Sequence, residues 1–249
     1  MIHIYPGYNK NNEQENYECL TLLKGSVYSI VGPTGSGKSQ FFEDIELLSD
    51  SQGVTRRVIK SDASIPVVAH LSQKMNFMVE MSVEEFVTIH ASCLGVGDTK
   101  KHCDSVVQLA NSITGEEIFC HDLLTKLSGG QARSLMIADI AMNPNSDIVL
   151  LDEIENAGID RLKVLKMLSD ANKMVLIVTH DPLLALLADF RFVFKDGGIT
   201  HFLKQTLEEK RLSKHLLQID RKQSDIRQRL RKGMEIREDY FNEKKITME

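Results

Sequence analysis

Apolar positions along this chain follow two rhythms. Short, nearly continuous runs rich in β-branched residues alternate with longer stretches in which apolar side chains return every three or four positions. Residues 27–31 form the most compact run and end at a glycine, which predicts a buried strand feeding a loop. Residues 65–71, 148–151 and 174–178 read the same way. Between them the helical rhythm predicts a helix over 38–48, with Phe41, Phe42, Ile45 and Leu48 on one side. Residues 82–126 are predicted to be mostly helical, opening with Ser82 and Glu85 as a capping box and holding a second helix at about 100–112. A further helix starts near Gly130 and carries Leu135, Met136, Ile137, Ile140 and Ala141. Helices over 159–171 and 182–189 and a hairpin of 192–194 with 199–202 around Gly197-Gly198 complete this part. At the N-terminus, strands over 1–5 and 20–23 flank a polar loop at 9–16. Alternating strands and helices predict a largely parallel α/β core with an N-terminal antiparallel β part.

The rhythm changes near Thr206. Residues 203–249 carry 13 Lys and Arg against nine Asp and Glu, with Leu212, Leu216, Ile219, Ile226 and Leu230 at helical spacing. The expected organisation is a domain over 1–205 and a charged helical extension over 206–249. The extension reads as an amphipathic helix packed on the domain or as a dimerising or partner-binding arm. A basic stretch at 221–232 is interrupted by aspartate, which argues against nucleic-acid contact.

Composition removes several function classes. A net charge of −5 over 249 residues does not advertise nucleic-acid binding. No run approaches the roughly 18 apolar residues that a membrane span needs. The N-terminus does not read as a signal peptide. Cys19, Cys93, Cys103 and Cys120 form no CxxC pair and no metal spacing, so reduced thiols in a cytoplasmic protein are expected.

The glycines after residue 31 carry the first chemistry. Gly32-Pro33-Thr34-Gly35-Ser36-Gly37-Lys38-Ser39 fits G-x-x-x-x-G-K-[ST], a loop whose backbone N–H groups converge on phosphate oxygens. The helix behind it offers its positive end to the same anion. Lys38 is expected at the β- and γ-phosphates of a nucleotide and Ser39 on Mg²⁺, with Gln40 closing the nucleotide-binding run. Asp152 and Glu153 follow an apolar strand, at the sheet edge where ligands bind. Asp152 suits Mg²⁺, and Glu153 suits the general base that polarises water.

Leu127-Ser128-Gly129-Gly130-Gln131 comes some twenty residues before that strand. With it the chain resembles the ATP-binding cassette (ABC) ATPases. The resemblance implies a P-loop NTPase core of ABC type, with an inserted helical subdomain at about 74–130. It implies an ATP-dependent head-to-tail homodimer in which Ser128, Gly129, Gly130 and Gln131 meet the ATP bound by the other subunit. It implies that Gln73 contacts Mg²⁺ or the water, that His180 in Val-Thr-His-Asp-Pro binds the γ-phosphate and orients Glu153, and that Asp160 closes a D-loop at the dimer interface. Adenine is expected to stack on an aromatic, Tyr5 or Tyr8, with Tyr8 preferred.

Some residues depart from the transporter pattern. Ile154 stands where proline is usual, the stretch from Asp152 to Asp160 is one residue longer, and Asp139 stands where an arginine is usual. Two outputs follow. The first is the ATPase subunit energising a separate membrane transporter, supported by the roughly 50 residues between Gln73 and the LSGGQ segment. The second is a soluble ABC ATPase that remodels a protein, a cofactor enzyme or nucleic acid. A binding module without turnover is disfavoured, since Lys38 and Glu153 are both present.

Overall fold

The computed structural model describes residues 1–62, 65–72, 77–156 and 158–236. Contacts divide the chain into two units, Met1–Gln205 and Thr206–Glu249.

In the first unit the apolar runs become the inner strands of one sheet. The strands are β1 (Ile2–Tyr5), β2 (Leu20–Leu22), β3 (Val27–Val31), β4 (Val58–Ser61), β5 (Val67–Leu71), β6 (Ser146–Asp152), β7 (Met174–Val178), β8 (Phe190–Lys195) and β9 (Gly198–Lys204). Six of them lie in the order β5-β6-β7-β3-β8-β9. The first five are parallel, and β9 returns antiparallel on β8. Both faces of the middle strands are covered, which explains runs without polar alternation. Ile148 and Leu150 of β6 enter one apolar cluster, while Val149 and Leu151 enter another. All five residues of β7 are buried.

The first cluster joins the sheet to helix α1 (Lys38–Glu46), through Phe41, Phe42 and Ile45, and to β1, β2 and β4. These three strands make a separate antiparallel sheet in the order β2-β1-β4. The periodicity does not predict β4. Its four residues, Val-Ile-Lys-Ser, hold two apolar side chains, and its identity comes from pairing Ile59 with Ile4. The second cluster lies under α4 (Gly129–Met142), α5 (Arg161–Asp170) and α6 (Pro182–Leu187).

A third cluster packs α2 (Val83–Cys93) and α3 (Thr99–Ile113) against α4. Eight of the fourteen α4 residues are buried, because this helix serves two clusters at once. Ser82 and Glu85 form the expected capping box. Asp139, at the position noted for a missing arginine, is buried and accepts from His90 Nδ1 at 2.6 Å. Burial raises its carboxyl above the usual range, and His90 opposes that shift.

The two helices expected within 82–126 are present as α2 and α3; from 114 to 123 the chain is not helical, and a short 3-10 turn follows at Leu124–Lys126. Thr114 leaves α3 in an extended conformation. The side chain of Asn111 then takes both polar groups of Ile118, at 2.8 and 2.9 Å, replacing helical hydrogen bonds. Helix α5 starts at Arg161 rather than 159, because Asp160 is its N-cap and Ile159 is bridged to Thr114.

In the second unit, Thr206 and Glu209 form a capping box that opens α7 (Leu207–Arg231). Glu208 and Glu209 lie in its first turn and Arg229 and Arg231 in its last, each sign complementing the helix dipole.

Candidate functional site

Strands β6, β7 and β3 are neighbours, and their registers align Asp152 and Ile30 with Val178. The segments after these strands therefore emerge side by side at one sheet edge. They are the glycine loop, the Asp152-Glu153 pair and the Thr179-His180 turn. The glycine loop lies more than a hundred residues before the other two in the chain, and parallel pairing brings all three together.

The loop from Gly32 to Gly37 is shaped by close approach. Gly32, Gly35 and Gly37 have φ of 153°, 75° and 99°. A Cβ on Gly32 would lie 2.4 Å from the Phe194 carbonyl oxygen, and one on Gly37 would lie 2.8 Å from the Gly197 Cα. Side chains are excluded there on two grounds, conformation and space. Pro33 and Thr34 are exposed on the outer side of the loop. Ser36 Oγ is buried without a hydrogen-bond partner among the described residues. Lys38 opens α1 and folds back, donating from Nζ to the Gly32 and Pro33 carbonyls at 2.8 and 2.9 Å. Burial lowers its pKa below the usual lysine value, while Glu153 and Asp152 pull it upward. Ser39 is exposed beside it, and Gln40 points away to donate to Glu43 at 2.9 Å.

Glu153 has φ of 46°, a left-handed conformation unusual for a residue with a Cβ. It is held there by its N–H to the Val178 carbonyl at 3.0 Å and by the buried Ile154. The carboxylate ends up 3.6 Å from His180 Nε2, beyond a direct hydrogen bond but facing it across the site. Gln73 lies outside the described residues.

Arg133, Glu155 and Lys10 were not singled out from the sequence as site residues. Arg133 is nearly buried on α4 and donates to the carbonyls of Ser72, at 2.9 Å, and Glu153, at 3.5 Å. Burial lowers its pKa, and Asp152 opposes that. Glu155 accepts from Thr179 Oγ1 at 3.1 Å and from the His180 N–H at 2.9 Å, fixing the His180 turn. Lys10 donates to the Gly35 carbonyl at 2.6 Å. The signal for Arg133 was its place four residues after Gly129, one helical turn along. Nothing local marked Lys10.

Tyr8 is half-buried, with the Arg56 guanidinium 5.0 Å from its ring centre. Tyr5 is exposed beside Lys60 instead. The Leu127–Gln131 segment lies apart from these groups in its contacts. Ser128 caps α4, accepting from the Gln131 N–H at 3.3 Å, while Gln131 Oε1 accepts from the Ser128 N–H at 2.9 Å. Gly129 is exposed. Asp160 accepts from the Lys163 N–H and donates its own N–H to the Ile113 carbonyl at 2.7 Å.

Residues 19–156 match the ABC transporter family. An uncharacterized ABC transporter ATP-binding protein of Methanocaldococcus jannaschii is 42% identical over 243 residues, covering 93% of each chain. An energy-coupling factor transporter ATP-binding protein of Staphylococcus aureus is 31% identical, over 71% of this chain and 68% of that one. Among solved structures, an ATP-binding subunit of an ABC transporter superposes with a TM-score of 0.64 at 15% identity, covering 82% of this chain and 90% of that one. A dimeric ATP-binding cassette in a post-hydrolysis state with ADP and Pi gives 0.60 at 22% identity, covering 83% and 99%. The strand-end cluster, the glycine loop and these likenesses agree: the chain belongs to the ABC transporter family of ATP-binding cassette proteins.

Proposed function

We propose that this chain binds ATP on the 32–40 loop, hydrolyses it in a head-to-tail homodimer, and so energises a separate membrane transporter component. The observation that carries the reading is the convergence of Lys38, Asp152, Glu153 and His180 at the ends of three adjacent strands. Both relatives named above are transporter ATP-binding proteins, which supports the output. Among the described residues no helix is long and apolar enough to cross a membrane, so the membrane component is a partner.

The loop N–H groups and the start of α1 receive the phosphates. Lys38 exchanges its two loop carbonyls for phosphate oxygens, and the orphaned Ser36 hydroxyl gains a partner. Tyr8 takes the adenine face. Ser39, Asp152 and Gln73 would hold Mg²⁺. Their donors, a hydroxyl, a carboxylate and an amide oxygen, are all oxygens and fit a hard divalent cation. When bound, the ion neutralises charge on the phosphates. Glu153 accepts the proton of the attacking water, and His180 orients the water and the γ-phosphate. Ser128, Gly129, Gly130 and Gln131 close on the ATP of the other protomer, and Asp160 meets its mate across the two-fold axis.

Glu153→Gln is expected to lower phosphate release by about 10²- to 10⁴-fold. ATP binding should persist and an ATP-dependent dimer should accumulate in sedimentation. Hydrolysis at the wild-type rate would remove the role given to Glu153. For the output, co-expression with multi-span membrane proteins encoded beside this chain should yield a complex with stimulated hydrolysis. Stimulation by a neighbouring soluble enzyme instead would favour remodelling.

A further inference from the structure

The start of α4 already holds an anion. Ser128 Oγ donates to Glu116 Oε2 at 2.8 Å, which seats a carboxylate at the electropositive end of the helix. The position of Glu116 is built by several contacts. Its N–H donates to Thr114 Oγ1 at 3.2 Å. Two residues on, Ile118 is buried and clamped by Asn111. Between them, the Glu117 carbonyl accepts from Gln131 Nε2 at 2.7 Å. On its other side the segment is tied to the loop before α5, where the Asp160 N–H reaches Ile113 and Thr114 bridges Ile159. Glu116 thus stands between the two stretches that the dimer reading turns toward the other protomer.

We propose that Glu116 sets the threshold for dimer closure and makes it selective for a nucleotide with a γ-phosphate. Its carboxylate holds the place at Ser128 that the γ-phosphate of the partner subunit's ATP takes on closure. This rests on the head-to-tail reading above. A serine hydroxyl has one proton to donate, so it cannot serve both anions. Two anions at one helix end also repel each other. Glu116 is exposed, so it can turn to water once displaced. A nucleoside diphosphate brings no anion to Ser128 and leaves Glu116 in place. The open state is then favoured after hydrolysis, by the difference in affinity between the two anions.

The test compares the full-length Glu153→Gln variant with the double variant Glu153→Gln, Glu116→Gln. Glutamine keeps an oxygen that can accept from Ser128 and removes the charge. ATP is titrated at fixed protein concentration and the dimer fraction is read by sedimentation. The expected result is that the half-maximal ATP concentration falls by about fivefold per site in the double variant. That difference should shrink as salt is raised, a response that a purely structural cap would not produce. Binding of ADP to the monomer and the melting temperature should stay unchanged. An unchanged or higher midpoint, with the single variant dimerising normally, would overturn the role of Glu116 alone. Absence of an ATP-dependent dimer in both proteins would overturn the head-to-tail reading and this proposal with it.

Discussion

Two glycine-rich turns open helices in this chain, and they are built on opposite plans. The turn before α1 has no room at two of its three glycines. Gly32 and Gly37 lie against the backbone of Phe194 and Gly197 at distances no side chain could share. Gly197 is itself held, its N–H on the Ser36 carbonyl at 3.0 Å and its carbonyl on Arg57 Nη2 at 3.2 Å. Arg57 is wholly buried and paired with Glu15 at 2.5 Å and Asp44 at 2.7 Å. The turn before α4 is open. A Cβ on Gly129 would meet nothing within 4 Å, and Ser128 has an ordinary extended conformation. Its hold is a capping box and one exposed carboxylate. The first turn is completed by its own chain and braced by a buried ion network. The second is open at Gly129 and held by contacts within its own segment.

The sharpest way to break this contrast is at the brace. Arg57→Ala leaves two buried carboxylates without a cation and should cost about 3–5 kcal/mol in denaturant unfolding. The loss should also depend on pH. Burial pushes the Glu15 carboxyl upward, but Arg57 and the N–H groups of Ile199 and Gly7 outweigh it and hold it below its ordinary value of 4.5. A depressed carboxylate contributes stability that is present above its unfolded pKa and lost as pH falls through the folded value. The gap between wild type and variant should therefore narrow in acid. A gap that stays constant down to about pH 3 would mean that the network adds no electrostatic stability.

Gly37→Ala comes next. It adds a Cβ against the Gly197 backbone in a positive-φ position, expected to cost about 1–3 kcal/mol and to abolish ATP binding by calorimetry. The smallest effect on stability is expected for Gly129→Ala, which should leave unfolding unchanged or raise it by up to about 1 kcal/mol, since alanine favours a helix. Hydrolysis should nonetheless fall at least about tenfold while ATP binding to the monomer persists. Equal destabilisation by the two alanines would erase the distinction between the turns.

Parts of the site were legible because they are local. A β-branched run before G-x-x-x-x-G-K-S, an apolar strand ending in Asp152-Glu153, and His180 just beyond another strand are each written in a few consecutive residues. Other parts were not legible. Arg133 reads as one more helix residue, and only the packing of α4 under the sheet edge turns it toward Ser72 and Glu153. Arg57 sits in a polar stretch after Gly53, where nothing local indicates a fully buried cation. The left-handed φ of Glu153 comes from the pull of the Val178 carbonyl on its N–H, a contact made by a neighbouring strand. The path of the chain after α3 was not legible, because Asn111, seven residues before Ile118, supplies the hydrogen bonds that hold Ile118 outside a helix.

By itself the sequence determined the element types along the parallel core, the phosphate loop and the family resemblance, since periodicity and glycine spacing act over short stretches of chain. The tertiary structure alone decided which strand ends meet, that Arg57 rather than a local contact braces the phosphate loop, and that Glu116 sits on Ser128. Those outcomes depend on pairing order and on charges brought together from distant positions. Burial energy and hydrogen-bond satisfaction settle them only once the chain has closed on itself.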